Sequence, residues 1–332
     1  MINAEPTIQR GAKVLITGGL GFIGSNLAIT LVHMGAEVTL IDSLLPQYGG
    51  NLSNVEDIRN HVAINISDVR DPFSLQYLIR NQEIIFNLAG QTSHMDSMTD
   101  PYTDLDINAK AQLSILEACK NHNPAAKIVF ASTRQIYGRP HYLPVDESHP
   151  LQPVDVNGIN KMAGEWYHMV YHRVYGIRTS VLRLTNTFGP RMRIKDARQT
   201  FLGIWIRRIL EGKPIQIFGD GLQVRDYNYV GDVVAALIAA ASTEEAFGKI
   251  LNLGDCQRYT LLDTARIMID AFKGGAFQLV DFPPDRKKID IGDYYADYSL
   301  ARELLKWSPQ TSLRSGIEAT LGYFATRLSQ YC

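Results

Sequence analysis

The chain has 332 residues, is 45% hydrophobic and carries a formal net charge of −1. That size and apolar content suit one large domain, or two intimately joined ones, around a sizeable core. The charge balance gives no reason to expect nucleic acid or an acidic membrane surface as a partner, so any anion site must be local. Cys119, Cys256 and Cys332 are far apart and lack metal-ligand spacing, which suits a reducing, cytoplasmic setting. MINAEPTIQRGAK has no long apolar run, so no signal peptide is expected, and no stretch reaches membrane-spanning length.

Lys13 to Thr17 alternates, is β-branched and reads as a strand. Gly18, Gly21 and Gly24 follow, and Phe22 to Met34 reads as an amphipathic helix. Strand, glycine turn and helix together point to a dinucleotide. A pyrophosphate can reach the free N–H groups of the helix N-terminus only where no Cβ intervenes. Phe22 and Ile23, inside this turn, join the candidate cofactor contacts. A second strand, Glu37 to Ile41, ends at Asp42. An acid here accepts hydrogen bonds from the adenosine ribose and repels a 2′-phosphate, which favours NAD over NADP. Further strands are read at His61–Asn65, Ile84–Asn87 and Lys127–Ala131, separated by helical sequence. The alternation predicts an α/β, doubly wound parallel sheet with ligands at the carboxyl ends of its strands. Asp68 and Val69 follow the third strand, where adenine would lie. Leu88, Ala89 and Gly90 follow the fourth, with small residues where a cofactor's backbone would pass.

TGGLGFIG, Asp42, NISDV, FNLAGQ and Asn108, in this order, resemble the extended short-chain dehydrogenase/reductase family over almost the whole chain. The resemblance implies a Rossmann-type fold with a smaller, discontinuous C-terminal substrate domain. The division expected is 1–185 plus about 230–255 for NAD, and about 186–229 plus 256–332 for the substrate. It also implies NAD as cofactor and a nucleotide-diphosphate sugar as substrate. Family members are mostly epimerases, dehydratases and decarboxylases, and transient oxidation at sugar C4 by an epimerase is the reading favoured here. A homodimer is expected through the helices Asn108–Lys120 and Gly158–Tyr175, which carry apolar residues beyond one face.

The catalytic stretch is IVFASTRQIY, Ile128 to Tyr137. The resemblance assigns Thr133, with Ser132 second, to the hydroxyl being oxidised. Arg134 and Gln135 stand where 4,6-dehydratases carry an acid and a base, and neither cycles a proton near neutral pH. Both remain substrate-contact candidates, with a solvated loop charge as the alternative for Arg134. The family's Tyr-x-x-x-Lys pair retains Lys161 but has Asn157 in place of the tyrosine. An amide cannot act as the phenolate does. Either another group is the base, or the chain binds without turnover, or Asn157 is a substitution. His94, Tyr137 and Tyr142 are the alternative bases, and the neighbouring Ser93 is a substrate contact. His168 and His172 lie four apart on one helix, but no carboxylate completes a metal pattern, and no metal is expected.

The substrate half follows a core strand at Arg178–Leu184. Asn186, in TNTFGP, is expected to donate to the diphosphate. Phe201 to Leu210 reads as an amphipathic helix. Gln223 and Arg225 match the family's nucleotide-sugar segment, with Asp226 as the residue that could hold Arg225. Arg286, in PPDRKK, is a second candidate phosphate clamp.

Overall fold

The computed structural model describes residues 8–45, 47–198 and 200–332. The signal-peptide expectation falls partly on residues 1–7, outside the described residues. Apolar, β-branched segments pair into one seven-stranded sheet. Its first six strands are β1 (Lys13–Thr17), β2 (Glu37–Asp42), β3 (Val62–Ile66), β4 (Ile84–Asn87), β5 (Lys127–Thr133) and β6 (Arg178–Leu184). Four short strands follow, β7 (Asn186–Phe188), β8 (Ile215–Phe218), β9 (Val224–Arg225) and β10 (Tyr227–Tyr229). Strand β11 (Ile250–Asn252) then completes the large sheet, whose order is β11-β6-β5-β4-β1-β2-β3 with every pair parallel. Strands β12 (Tyr259–Thr260) and β13 (Phe277–Val280) pair with β9 and β8, and β10 pairs with β7.

The helices in chain order are α1 (Phe22–His33), α2 (Pro72–Leu78), α3 (His94–Thr99), α4 (Pro101–Leu105), α5 (Ala111–His122) and α6 (Val156–Tyr175). They continue with α7 (Phe201–Leu210), α8 (Val230–Ser242), α9 (Leu261–Phe272), α10 (Pro284–Lys288), α11 (Ser299–Leu305) and α12 (Leu313–Ala325). The strand alternation sorts side chains between two cores. Val14, Ile16, Phe86 and Val129 cluster with apolar residues of α1, α8 and α11. Leu15, Ile85 and Ile128 cluster with residues of α2 and α5. Burial on both faces is why these strands read as nearly continuous apolar runs. A separate cluster, including Phe188, Leu202, Trp205, Leu261, Leu313 and Phe324, lies among α7, α9 and α12.

Strand order reverses between β1 and β4, and ligands of such sheets bind where it does. Gly18 has φ +68°, in the left-handed region, and a Cβ there would lie 3.0 Å from the Ala89 nitrogen. The turn after β1 and the loop after β4 therefore meet backbone to backbone.

One expected helix begins differently. Asn108 lies in a wide helical turn, Asp106–Lys110, that precedes α5. The Asn108 amide donates to the Gln91 carbonyl and to Asp104, and Gln112 donates to the Ile107 carbonyl. These side-chain bonds accompany the wide turn, which helical periodicity does not reveal.

A Cβ on Gly24 would run into the Gly18 carbonyl. Gly24→Ala should lower stability by about 1–3 kcal/mol, the usual cost of overpacking, and weaken NAD binding. Denaturant unfolding and calorimetry check both.

Candidate active site

The cofactor end is built from backbone. Helix α1 starts at Gly21, and no side chain caps it, which leaves its first N–H groups available to an anion. Thr17 Oγ1 accepts from Leu88 N and Ala89 N, both at 3.1 Å, and so pins the facing loop. At Gly90 a Cβ would lie 2.9 Å from Lys161 Nζ, so a side chain there would press on the end of the lysine. Lys161 donates to the Ala131 carbonyl at 3.1 Å, and burial pushes its ammonium down to about 8 despite Asp104 and Glu165 nearby. These features fit a dinucleotide, which the Gly18–Gly24 turn, Asp42 and Lys161 would hold.

Asp42 has a structural task. Its Oδ2 accepts from Leu20 N at 3.0 Å and its Oδ1 from Leu44 N at 2.9 Å. The carboxylate thus ties the glycine turn to the end of β2. Asp68 is gripped by Arg70 through Nε at 3.0 Å and Nη2 at 2.7 Å. The Val69 side chain is buried in the core with Leu15 and Ile41, so only its backbone is placed to meet a base.

Asn157, which stands at the position of the family's tyrosine, turns its amide nitrogen to structural partners. The residue is buried, and Nδ2 donates to the Gln91 carbonyl at 2.8 Å and to Asp104 Oδ2 at 3.0 Å. Asn108 also donates to Asp104 Oδ2, and Asn160 donates to Oδ1. Three amides therefore surround one fully buried carboxylate. A buried charge needs such donors, and Asn157 is one of them.

Two alternative bases fall away. Tyr137 is fully buried, donates to Asn252 Oδ1 and accepts from Arg183 Nη1, both at 2.7 Å. Burial pushes its phenol up to about 12, and it does not line the cleft. Tyr142 is exposed and bonds Asp146. His94 does line the cleft, with Nδ1 3.0 Å from Asp155 Oδ2. His168 and His172 each use Nδ1 on a backbone carbonyl, of Gly164 and Ile177.

The cleft has a volume of about 830 Å³ and is walled by both halves of the chain. It brings together Phe22, Ile23, Leu88, Ser93, His94, Thr133, Arg134, Gln135, Asn157, Lys161, Asn186, Gln223, Arg225 and Arg286. Gly18, Gly21, Gly24, Asp42, Asp68, Val69, Ala89 and Gly90 stand outside this lining. Several predicted contacts already have work. Ser93 Oγ accepts from Asp96 N and caps α3. Gln135 Nε2 donates to Asp155 Oδ2, which leaves its other amide hydrogen for a substrate. Thr133 Oγ1 accepts from Gln135 N at 3.2 Å, while the buried Ser132 hydroxyl has no partner among the described residues.

The phosphate end is also rearranged. Asn186 donates to the Asp226 carbonyl and accepts from Arg134, which leaves one of its two amide hydrogens for a diphosphate. Asp226 does not hold Arg225. It accepts from Thr185 Oγ1 and Ala296 N instead, and burial pushes its carboxyl up to about 6. Arg225 donates to the carbonyls of Gly292 and Val224, and Asp290 lies 3.6 Å away. Sequence reasoning missed Asp290, because nothing local links it to a residue 65 positions earlier. Burial and the charge of Arg225 push the Arg134 guanidinium down to about 10, and its Nε has no partner among the described residues. Arg286 lies over the Phe218 ring, 5.5 Å from its centre.

Asn157→Tyr would remove one donor from buried Asp104 and put a large ring on the cleft wall where a small amide, its hydrogens both engaged, now packs. The variant should lose about 1–3 kcal/mol of stability and gain no turnover. Thermal unfolding beside a product assay checks this.

Residues 14–254 match the model of the NAD dependent epimerase/dehydratase family. The chain is 31% identical over 319 residues to the UDP-glucose 4-epimerase of Mycolicibacterium smegmatis, covering 95% of this chain and 99% of that one. It is 30% identical over 327 residues to UDP-glucuronic acid decarboxylase 1 of Xenopus tropicalis, covering 95% and 73%. The crystal structure of UDP-glucuronic acid 4-epimerase from Bacillus cereus, in complex with UDP-glucuronic acid and NAD, superposes with a TM-score of 0.84. That likeness spans 95% of this chain and 99% of the other at 28% identity. With the glycine turn at the sheet's reversal and a family match over most of its length, the chain belongs to the NAD-dependent epimerase/dehydratase family.

Proposed function

We propose that the chain is an NAD-dependent nucleotide-sugar epimerase acting by transient oxidation at sugar C4. The observation that carries this reading is the shared cleft, where Thr133 and Lys161 from one half face Asn186, Arg225 and Arg286 from the other. Bound NAD supplies the acceptor and donor of hydride. Thr133 orients the sugar hydroxyl, and the Lys161 cation stands at the ribose. Arg225, backed by Asp290, and Arg286 hold the diphosphate. The Gly18–Gly24 turn, Asp42 and the Leu88–Gly90 loop hold the cofactor. Residues about 186–229 and 256–332 form the smaller substrate unit on this reading. The three free cysteines fit a cytoplasmic location, and no helix among the described residues is long and apolar enough to cross a membrane.

Incubation with a panel of UDP-sugars, followed by product analysis and the absorbance of reduced cofactor, tests the reading. An epimerised product is expected. Reduced cofactor without that product would mean oxidation alone, and clear binding without either would mean a binding protein. Arg225→Ala should weaken UDP binding by about 2 kcal/mol and spare NAD. Unchanged UDP affinity would remove Arg225 from the site.

A second reading, oxidation followed by decarboxylation of a nucleotide-uronic acid, is favoured by Arg134. Its guanidinium lines the cleft beside Arg225, with no carboxylate in ion-pair contact among the described residues. UDP-glucuronic acid in the panel, with carbon dioxide release as readout, separates this from epimerisation.

The chain is also proposed to form a homodimer. Trp166, Val170 and Val174 recur every four residues on α6 and are exposed, as are Tyr102 and Leu105 of α4. Helix α5, the other expected partner, has no large apolar side chain among those exposed. The apolar surface is thus α6 with α4 rather than α6 with α5, and a stripe of this kind suits a second copy. Val170→Glu with Val174→Glu should convert the dimer to monomer in light scattering. A wild type that scatters as monomer at micromolar concentration would end this expectation.

A further inference from the structure

The cleft contains a coupled pair that the sequence motifs did not announce. His94 opens α3, and Asp155 caps α6. The imidazole is half-buried on the cleft wall, with Nδ1 3.0 Å from Asp155 Oδ2 and the ring turned off the ideal hydrogen-bond line. Catalytic contacts of this kind often tighten only with ligand present. Asp155 is itself fixed, since Gln135 Nε2 donates to Oδ2 and Gly158 N to Oδ1, both at 2.7 Å. Burial pushes its carboxyl up, but His94, Gly158 and Gln135 outweigh that and hold it below the usual range. An anion on the Nδ1 side favours the tautomer with its proton there, which leaves Nε2 as an acceptor. No hydrogen bond occupies Nε2 among the described residues. Gln135 also links this pair to Thr133, because its backbone N–H donates to Thr133 Oγ1.

We infer that His94 takes up and returns the proton of the sugar hydroxyl, with Asp155 as its positioning residue. The inference rests on the epimerase reading. The O–H bond breaks as the proton joins Nε2, and the imidazolium later returns that proton to the same oxygen. Nothing is consumed, and the matching hydride leaves and returns by the cofactor chemistry given above. The charged groups sharing this part of the cleft are Asp155, Asp96, Arg198, Lys161 and Arg134. Asp96 is paired with Arg198 at 2.9 Å, and Lys161 is on the Ala131 carbonyl.

The test compares wild type with His94→Gln, Asp155→Asn and Asp155→Ala, using NAD and UDP-sugars. His94→Gln should lower hydride transfer about 10²–10³-fold, within the range of general-base help, with UDP-sugar affinity kept within about threefold. Asp155→Asn should fold, because asparagine caps helices as aspartate does, whereas alanine does not. It should move the low-pH limb of the rate profile to lower pH, because loss of the anion favours the neutral ring. The His94 ring signal, followed by NMR without cofactor, should titrate at lower pH in the same variant. A purely structural tie between α3 and α6 would lower the melting temperature and move neither profile. A His94→Gln rate within threefold of wild type would overturn the inference. So would an unmoved ring titration in Asp155→Asn, or a wild type that binds both ligands without hydride transfer. A wild type that binds no nucleotide sugar overturns the epimerase reading, and this inference with it.

Discussion

The structure depends on one close approach of backbone to backbone. The turn after β1 and the loop after β4 meet where the strand order reverses, and Gly18 leaves no room there for a side chain. Thr17 reinforces the contact by accepting from Leu88 and Ala89. From that point, α1 leads away with a bare N-terminus on one side. On the other, the loop runs through Gly90 and Gln91 to His94. The bare helix end and the cleft-lining imidazole therefore both lead off one seam of packed main chain.

Around that seam the site divides its polar groups between structure and chemistry. Asp104 is fully buried and draws Asn108, Asn157 and Asn160 onto itself. This arrangement takes Asn157 out of proton transfer and makes it a structural donor. Asp155, a few residues earlier, holds a different set of partners and reaches into the cleft through His94. Two buried carboxylates at one end of α6 thus have separate work. One organises amides, and the other orients an imidazole.

The large sheet was legible because its signals are local. Arg178–Leu184, Ile84–Asn87 and Phe201–Leu210 are found with the bounds read from the sequence. The glycine turn was legible for the same reason, since its strand, turn and helix are contiguous. The lining of the cleft was legible in part, and its partnerships less so. Thr133, Lys161, Arg225 and His94 do share the cleft. Which atoms they bond depends on contacts far apart in sequence, such as Arg225 with Asp290, or Asn157 with Asp104. Aspartates next in the chain were natural guesses, yet Asp226 turns inward to Thr185 and Ala296. The exposed face of α4 was missed because a five-residue helix has too little periodicity to show one.

The double duty of Asp42 constrains how this fold could change its cofactor. Its carboxylate satisfies the N–H groups of Leu20 and Leu44, and on the proposed reading it also stands where a 2′-phosphate would come. A substitution that admits the phosphate also strands those two donors, and an unpartnered buried donor costs about 1–3 kcal/mol. On that reading, dinucleotide selectivity and the integrity of the first turn are inherited together. A lineage, or an engineer, exchanging one dinucleotide for the other must rebuild the turn before the charge can be reversed.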